Sequence, residues 1–394
     1  MIKDNLMLCI LTGLSLRLAI DNLIGQRFFI PLTYSSYESW DHISEGIHYL
    51  KNKIPLYNND IVHQMPLIIQ FWRIISDMNV KTPLFYLLEM FMMFSLNLLM
   101  KQLKCSKFSS HVLLCYAINP YSLSCFVARN ICIISNIFTL WSLIFLLKKN
   151  ITMMSVFICL ACYASFFPML LLIPSFINNF KSITKIVKIF LSFTLTLLIS
   201  LALTSIFSPV NKELFSSTWL YQLMNFDTSP NFGLYWYFYI EMFDHFKWLF
   251  VYTLELILLS TIFAISFRFN DEALLQYILV IFTYSILRPV PSIGEWGLLL
   301  TLCITKLEYF SYFRSGFLIF CLLMAGLILA PIFHYAWLYT GSANANFYFA
   351  ACLVHGLGQV LLVADLSLTH IKYPHLLEHG EDLIKGSKKK FKVL

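Results

Sequence analysis

Charge is what this 394-residue sequence has least of: Asp, Glu, Lys and Arg fill 12 % of positions, against about a quarter in soluble domains. So few charged side chains exclude a water-soluble globular domain. There is no GxxxxGK[ST] loop, no GxGxxG turn and no GxSxG elbow, so nucleotide-cradling enzymes and serine hydrolases lack their working parts here. Cysteine is missing from the long polar stretches. The ten copies lie in apolar segments or in the 101–107 connection, which gives no sign of a disulfide framework. Cys159 and Cys162 have CxxC spacing inside an apolar run without other ligands, and read as small packing residues. His42, Glu45 and His48 stand at i, i+3 and i+6, which is not the HExxH spacing of a metalloprotease. No metal, no cofactor and no nucleic-acid partner is expected.

What is present in excess is apolar surface, at 59 % of residues. Runs near the roughly 20 residues needed to cross a bilayer recur at 4–24, 83–100, 110–128, 131–147, 186–207, 247–267, 273–290, 315–333 and 347–368. A stretch at 151–180 is broken by Pro168 and Pro174, and one at 294–305 is short. The expected fold is an all-α polytopic membrane protein with about 11–12 transmembrane helices, the proline-broken stretch forming a hairpin of short helices. The first segment carries Arg17 and Asp21 too deep for a cleaved signal peptide and reads as a retained anchor.

Net charge is +7, and its placement sets the topology. Lysines cluster at Lys101, Lys104 and Lys107, at Lys148 and Lys149, at Lys181, Lys185 and Lys188, and from Lys385 to Lys392. The positive-inside rule puts these connections, Arg268 and the 306–314 loop in the cytosol with both termini. The connections 25–82, 208–246, 288–294 and 334–346 then fall on the far side. Asn150, in the sequon Asn150-Ile151-Thr152, lands in the cytosol and should stay unmodified. The tail ends KKKFKVL, with Lys392 third and Lys390 fifth from the end. It reads either as a dilysine-type retrieval signal or as a basic tail meeting anionic headgroups. Both place it in the cytosol, making the far side the lumen of the endoplasmic reticulum. We therefore expect one multi-spanning domain at 1–372 and a basic tail at 373–394.

Two far-side loops are too long for turns. In the first, Trp40, Ile43, Ile47 and Leu50 recur at helical spacing and predict an amphipathic helix in the interface. The second, 208–246, is dense in Trp, Tyr and Phe, as suits a wet-to-greasy boundary. One span followed by a long luminal loop with an amphipathic helix resembles the GT-C class of dolichol-phosphate-sugar-dependent glycosyltransferases. That class uses an acidic pair after the first span, and the matching stretch here offers Glu38, Asp41 and Glu45. The usual D-x-D pattern is absent, and solvated or capping acids explain the same residues. Ionisable residues in or beside apolar segments are functional candidates: Arg17, Asp21, Glu89, Arg129, Glu241, Asp244, His245, Glu255, Arg288, Glu295 and Asp365. Most need only a partner across a helix pair. Arg17 and Asp21, at i and i+4, are expected to neutralise each other.

The stretch 331–350, PIFHYAWLYTGSANANFYFA, interrupts two apolar segments with amides and aromatics, so Ser342, Asn344 and Asn346 either cap helix ends or face a polar ligand. Together with HQMPLIIQFWRIISD (63–77), NPYSL (119–123), PNFGLYWYFYIEMFDHF (230–246) and GQVLLVADL (358–366), it closely resembles the PIG-U subunit of glycosylphosphatidylinositol (GPI) transamidase, the Gab-type subunit of fungi. The blocks occur in order over nearly the whole chain. One departure is Gln64-Met65-Pro66, where family members often carry Glu-Thr before the proline. The resemblance implies an endoplasmic reticulum complex that exchanges a protein's C-terminal signal for GPI, with catalysis on a separate cysteine-protease-like subunit. It also implies a non-catalytic role for this chain in holding the glycolipid. The partners it implies are the other transamidase subunits, GPI and membrane lipids. For such a ligand, Asn344 and Asn346 with Ser342 offer donors and acceptors to the headgroup. Trp236, Tyr237 and Trp337 offer flat faces to sugars and acyl chains, and Arg129 a cation for phosphate. The alternative is an active GT-C-type mannosyltransferase of GPI assembly that uses dolichol-phosphate-mannose through Glu38 or Asp41. A lipid carrier acting alone is a third reading.

Overall fold

The computed structural model describes residues 2–23, 30–57, 60–104, 108–224 and 228–390. Arg27, Lys107 and Lys392, on which part of the first-loop boundary, one lysine cluster and the dilysine spacing rest, lie outside the described residues. Among the described residues there is no strand. The longer helices are α1 (Ile2–Leu23), α2 (Trp40–Lys51), α3 (Pro66–Asp77), α4 (Lys81–Gln102), α5 (Ser109–Ile118), α6 (Pro120–Val127), α7 (Cys132–Leu147) and α8 (Ile151–Ala164). They continue as α9 (Leu172–Asn178), α10 (Ile183–Thr204), α11 (Trp236–Glu241), α12 (Lys247–Arg268), α13 (Ala273–Leu287), α14 (Ile293–Cys303), α15 (Gly316–Leu338) and α16 (Ala345–Lys390). An all-α polytopic membrane protein is what these elements make. Five described helices are long and apolar enough to cross a bilayer, and further apolar helices of 10–17 residues accompany them.

Local chemistry explains most boundaries. Asn119 and Pro120 split the run expected as one crossing at 110–128 into α5 and α6: proline lacks the amide that would continue α5, and the Asn119 side chain accepts from Tyr121 N at 3.0 Å to start α6. Pro331 does not end α15, which runs on to Leu338, so the polar interruption shrinks to 339–344. The last helix continues to Lys390, through most of the stretch expected as a tail. The amphipathic helix of the first loop is α2, with Ile43 and Ile47 buried. The 151–180 stretch is the hairpin its prolines predict. It turns at Ser165, and its two ends, Ile151 and Asn178, line one cavity.

The connections sort to two ends of the bundle. Leu103, Lys149, Asn179, Lys185, Asp271 and Lys306, from five of the lysine-bearing connections and the helix ends beside them, line that same cavity. At the other end, His63 bonds Ser217 O at 3.0 Å, Tyr37 bonds Val290 O at 3.1 Å and Tyr237 bonds Asn346, so the four connections expected on the far side are linked in a chain through the two long loops. Between these ends, α15 and α16 form the tightest hairpin. A Cβ on Gly326 would fall 2.5 Å from His355 Cβ and 3.0 Å from His355 Cα, a separation only glycine permits. Gly326→Val should therefore force the helices apart and cost about 1–3 kcal/mol or more through overpacking. Gly316→Ala, whose Cβ would sit 3.4 Å from Phe313, should be nearly neutral. Thermal unfolding of the two variants in detergent measures the difference.

Candidate functional site

The aromatic end is built by three segments. α11 supplies Trp236 and Tyr237, the end of α15 supplies His334 and Trp337, and the start of α16 supplies Asn346, Tyr348 and Phe349. Trp236 is fully buried, lying nearly parallel to Trp337 with ring centroids 6.3 Å apart at 21°, and edge-on to Phe349 at 5.9 Å. Tyr237 stacks on Phe349 at 4.5 Å and donates its hydroxyl to Asn346 Oδ1. Desolvation and the neighbouring Glu241 push the Tyr237 phenol above its ordinary value, so it remains a donor at neutral pH.

The 339–344 turn is self-capped. Ser342 N returns to Ala336 O at 2.9 Å and closes α15, with Gly341 at φ +63° making the reversal. The Ser342 hydroxyl bonds Thr340 Oγ1 at 2.7 Å. Asn344 Oδ1 accepts from Asn346 N at 3.1 Å and caps α16. Asn344 and Asn346 are both exposed. With each oxygen used internally, their amide NH2 groups are left as donors toward an incoming acceptor. Six of the seven residues expected at a lipid site thus come together: Ser342, Asn344, Asn346, Trp337, Trp236 and Tyr237. Trp236 is a floor rather than a contact surface. His334, Tyr348 and Phe349 were not singled out from the sequence, although they lie in the 331–350 block. His334 Nδ1 has no hydrogen-bond partner and sits edge-on to Tyr348 at 5.3 Å.

Arg129 does not join this cluster. Its Nη2 lies 2.5 Å from Asp21 Oδ2 and its Nη1 bonds Phe126 O at 2.8 Å, while the guanidinium covers the Phe126 ring at 4.8 Å. It occupies the left-handed position that ends α6, at φ +55°, where glycine would be cheaper. Asp21 is therefore not neutralised by Arg17, as their i, i+4 spacing suggested. Arg17 instead meets Glu89 on α4 at 2.9 Å and Ser122 Oγ at 3.3 Å. Tertiary partners give both ions stronger geometry than the reversed helical pair, with the cation N-terminal.

The acids of the first loop part company in the same way. Asp41 is exposed and lines a crevice of about 80 Å³ with Trp40, His42 and Asn130, room for a few waters. Glu38 is 2 % exposed and faces Arg288 at 3.4 Å, so it is neither solvated nor a cap. Arg288 is itself fully enclosed. Its Nη1 meets Glu295 Oε1 at 2.5 Å, its Nε bonds Val290 O at 2.7 Å, and its Nη2 bonds the Tyr37 hydroxyl. Burial pushes the Tyr37 phenol up, so it stays protonated and donates to Val290 O. Nearby, His63 stacks on Tyr221 at 3.3 Å. Burial holds its imidazole below the ordinary value, so it is neutral and donates to one of its two carbonyl neighbours, Ser217 O or Asp60 O.

Fold and site together define a polytopic membrane protein whose long connections assemble an aromatic, amide-bearing platform at one end of a helix bundle. The chain belongs to the PIG-U family: the family model described as GPI transamidase subunit PIG-U matches residues 10–355. It is similar to the GPI transamidase component GAB1 of Saccharomyces cerevisiae, 29 % identical over 368 residues covering 90 % of this chain and 91 % of that protein. It is also similar to the GPI-anchor transamidase component PIGU of Homo sapiens, at 23 % over 384 residues and 88 % of each chain. A GAB1 homolog of Schizosaccharomyces pombe is 27 % identical over 252 residues, 64 % of this chain and 62 % of that one.

The buried network makes the clearest mutational contrast. Arg288→Met strands two enclosed carboxylates and should cost about 3–5 kcal/mol. Lys51→Ala breaks the pair with Asp77, whose side chains are 47 % and 50 % exposed, and should cost at most about 1 kcal/mol. Thermal unfolding in detergent reads both.

Proposed function

We propose that this chain is the non-catalytic subunit of the GPI transamidase complex in the endoplasmic reticulum membrane that holds the GPI glycolipid for transfer to precursor proteins. The family match over residues 10–355 is the observation that carries the reading, and the blocks richest in aromatics and amides build one platform. Its exposed amides suit hydroxyls and phosphate, and the rings suit sugar faces and acyl chains. Asn344, Asn346, Ser342, Trp337 and Tyr237 make the contacts, with Trp236 beneath them. Arg129, paired with Asp21, is left out of these contacts.

Two features support a non-catalytic role. Glu38, one of the two acids a GT-C-type transferase could use here, is engaged with Arg288, and the crevice beside Asp41 holds only about 80 Å³. The described cysteines are buried or half-buried, except Cys321, which lies in the apolar helix α15. A nucleophile must reach both a base and its substrate. Catalysis is accordingly assigned to a partner subunit.

Replacing Asn344 and Asn346 together by Leu should weaken GPI capture at least about tenfold, since one hydrogen bond to a charged group is worth about 1.5–3 kcal/mol. Asn344→Ser, which keeps a helix cap, should reduce capture without loss of assembly. GPI co-purifying with the intact complex is the readout, and unchanged occupancy would sink the assignment. The aromatic end is placed in the lumen and both termini in the cytosol by the positive-inside rule. Glycosylation acceptors inserted at Ser229 should be modified and those after Lys149 should not. The reverse pattern would invert the topology.

A further inference from the structure

At the end of the bundle opposite the aromatic platform lies a cavity of about 630 Å³, within the range of small-ligand sites. Its charges are divided by chain segment. One half, from the α7–α8 connection and the start of α10, carries Lys149 and Lys185. Both are exposed, and among the described residues neither has an ion-pair partner. The N-terminal ends of α8 and α10 open beside them and add partial positive charge. Lys149 holds the left-handed position that ends α7, at φ +57°, where glycine would be cheaper.

The other half carries Asp271, Glu272 and Glu308 with Lys306. Lys306 pairs with Glu272, which leaves Asp271, bonded at 3.1 Å to His370, and Glu308, bonded at 3.1 Å to the Tyr373 hydroxyl. Two cations without an ion-pair partner among the described residues therefore come from one set of segments, and two carboxylates, bonded to His370 and to the Tyr373 hydroxyl, from the other. Leu103, Leu146, Leu147 and Ile151 supply apolar lining to the same cavity.

We infer that this cavity binds the headgroup of a zwitterionic phospholipid. The phosphodiester lies against Lys149 and Lys185, the ammonium against Asp271 and Glu308, and the acyl chains leave along the leucine wall. An anion alone would meet the acidic half unfavourably, and an ammonium alone the lysines. A dipolar headgroup satisfies both, and its apolar tail explains why a charged cavity has a leucine side. This site is independent of the glycolipid platform at the other end.

The test uses the full chain with its co-purifying partners, delipidated in detergent and examined by native mass spectrometry. Dioleoylphosphatidylethanolamine, dioleoylphosphatidylglycerol and soluble phosphoethanolamine are added separately. Wild type should retain phosphatidylethanolamine best. Lys149→Glu with Lys185→Glu should lower that retention at least tenfold, and Asp271→Asn with Glu308→Gln should erase the preference over phosphatidylglycerol. Should the lysine variant lose its thermal transition, Ile151→Trp, which fills the apolar wall, takes its place with the same expected loss. Unchanged phosphatidylethanolamine retention in the lysine or tryptophan variant overturns the site. An unchanged lipid preference in the acid variant overturns the ammonium half, and displacement of lipid by equimolar phosphoethanolamine overturns the lipid as the source.

Discussion

The structure depends on one constraint: an ion enclosed among membrane helices has no water to turn to and must find its partner in the protein. Arg288 shows how far this reaches. Its partners Tyr37 and Glu38 come from the first loop and Glu295 from α14, while Phe167 from the α8–α9 hairpin lies under the guanidinium at 4.9 Å. Arg17 does the same for α1, α4 and α6 through Glu89 and Ser122, and Arg129 ties the end of α6 to α1 through Asp21. Such pairs add little net stability over apolar packing. Leaving one partner alone is costly, so they fix which segments meet.

That constraint also bears on function. The first loop carries acids where a GT-C transferase keeps its catalytic pair. Here Glu38 serves as a structural counter-ion while Asp41 remains at the surface. An acid held by an enclosed arginine is a poor base for an incoming acceptor. The long first loop lies over a helix bundle, and on the proposed reading the aromatic platform, not this loop, holds the glycolipid.

Much of this was legible in the sequence because the signals were local. Helix α2 follows from Trp40, Ile43, Ile47 and Leu50, the hairpin from Pro168 and Pro174, and the grouping of connections from the lysines. The platform residues Trp236, Tyr237, Trp337 and Asn346 sit in two conspicuous blocks. The failures share a cause. Arg17 with Asp21 looked complete at i, i+4, yet each ion found a better partner about 70 or 110 residues away, which no periodicity reveals. Arg129, a cation offered to phosphate by its sequence position, has an equally distant partner in Asp21. The break at Asn119-Pro120 was visible as residues, but hydropathy averaged it into one span.

The central claim is that GPI rests on the platform of α11, α15 and α16 rather than in the first-loop crevice. Photo-crosslinking in the intact complex tests it most directly, with a benzophenone amino acid replacing Tyr237 or Trp337 in one set and Asp41 in another. The account predicts a glycolipid adduct from 237 and 337, and none above background from 41. An adduct confined to 41 would contradict it and return the acidic crevice to the centre of the mechanism.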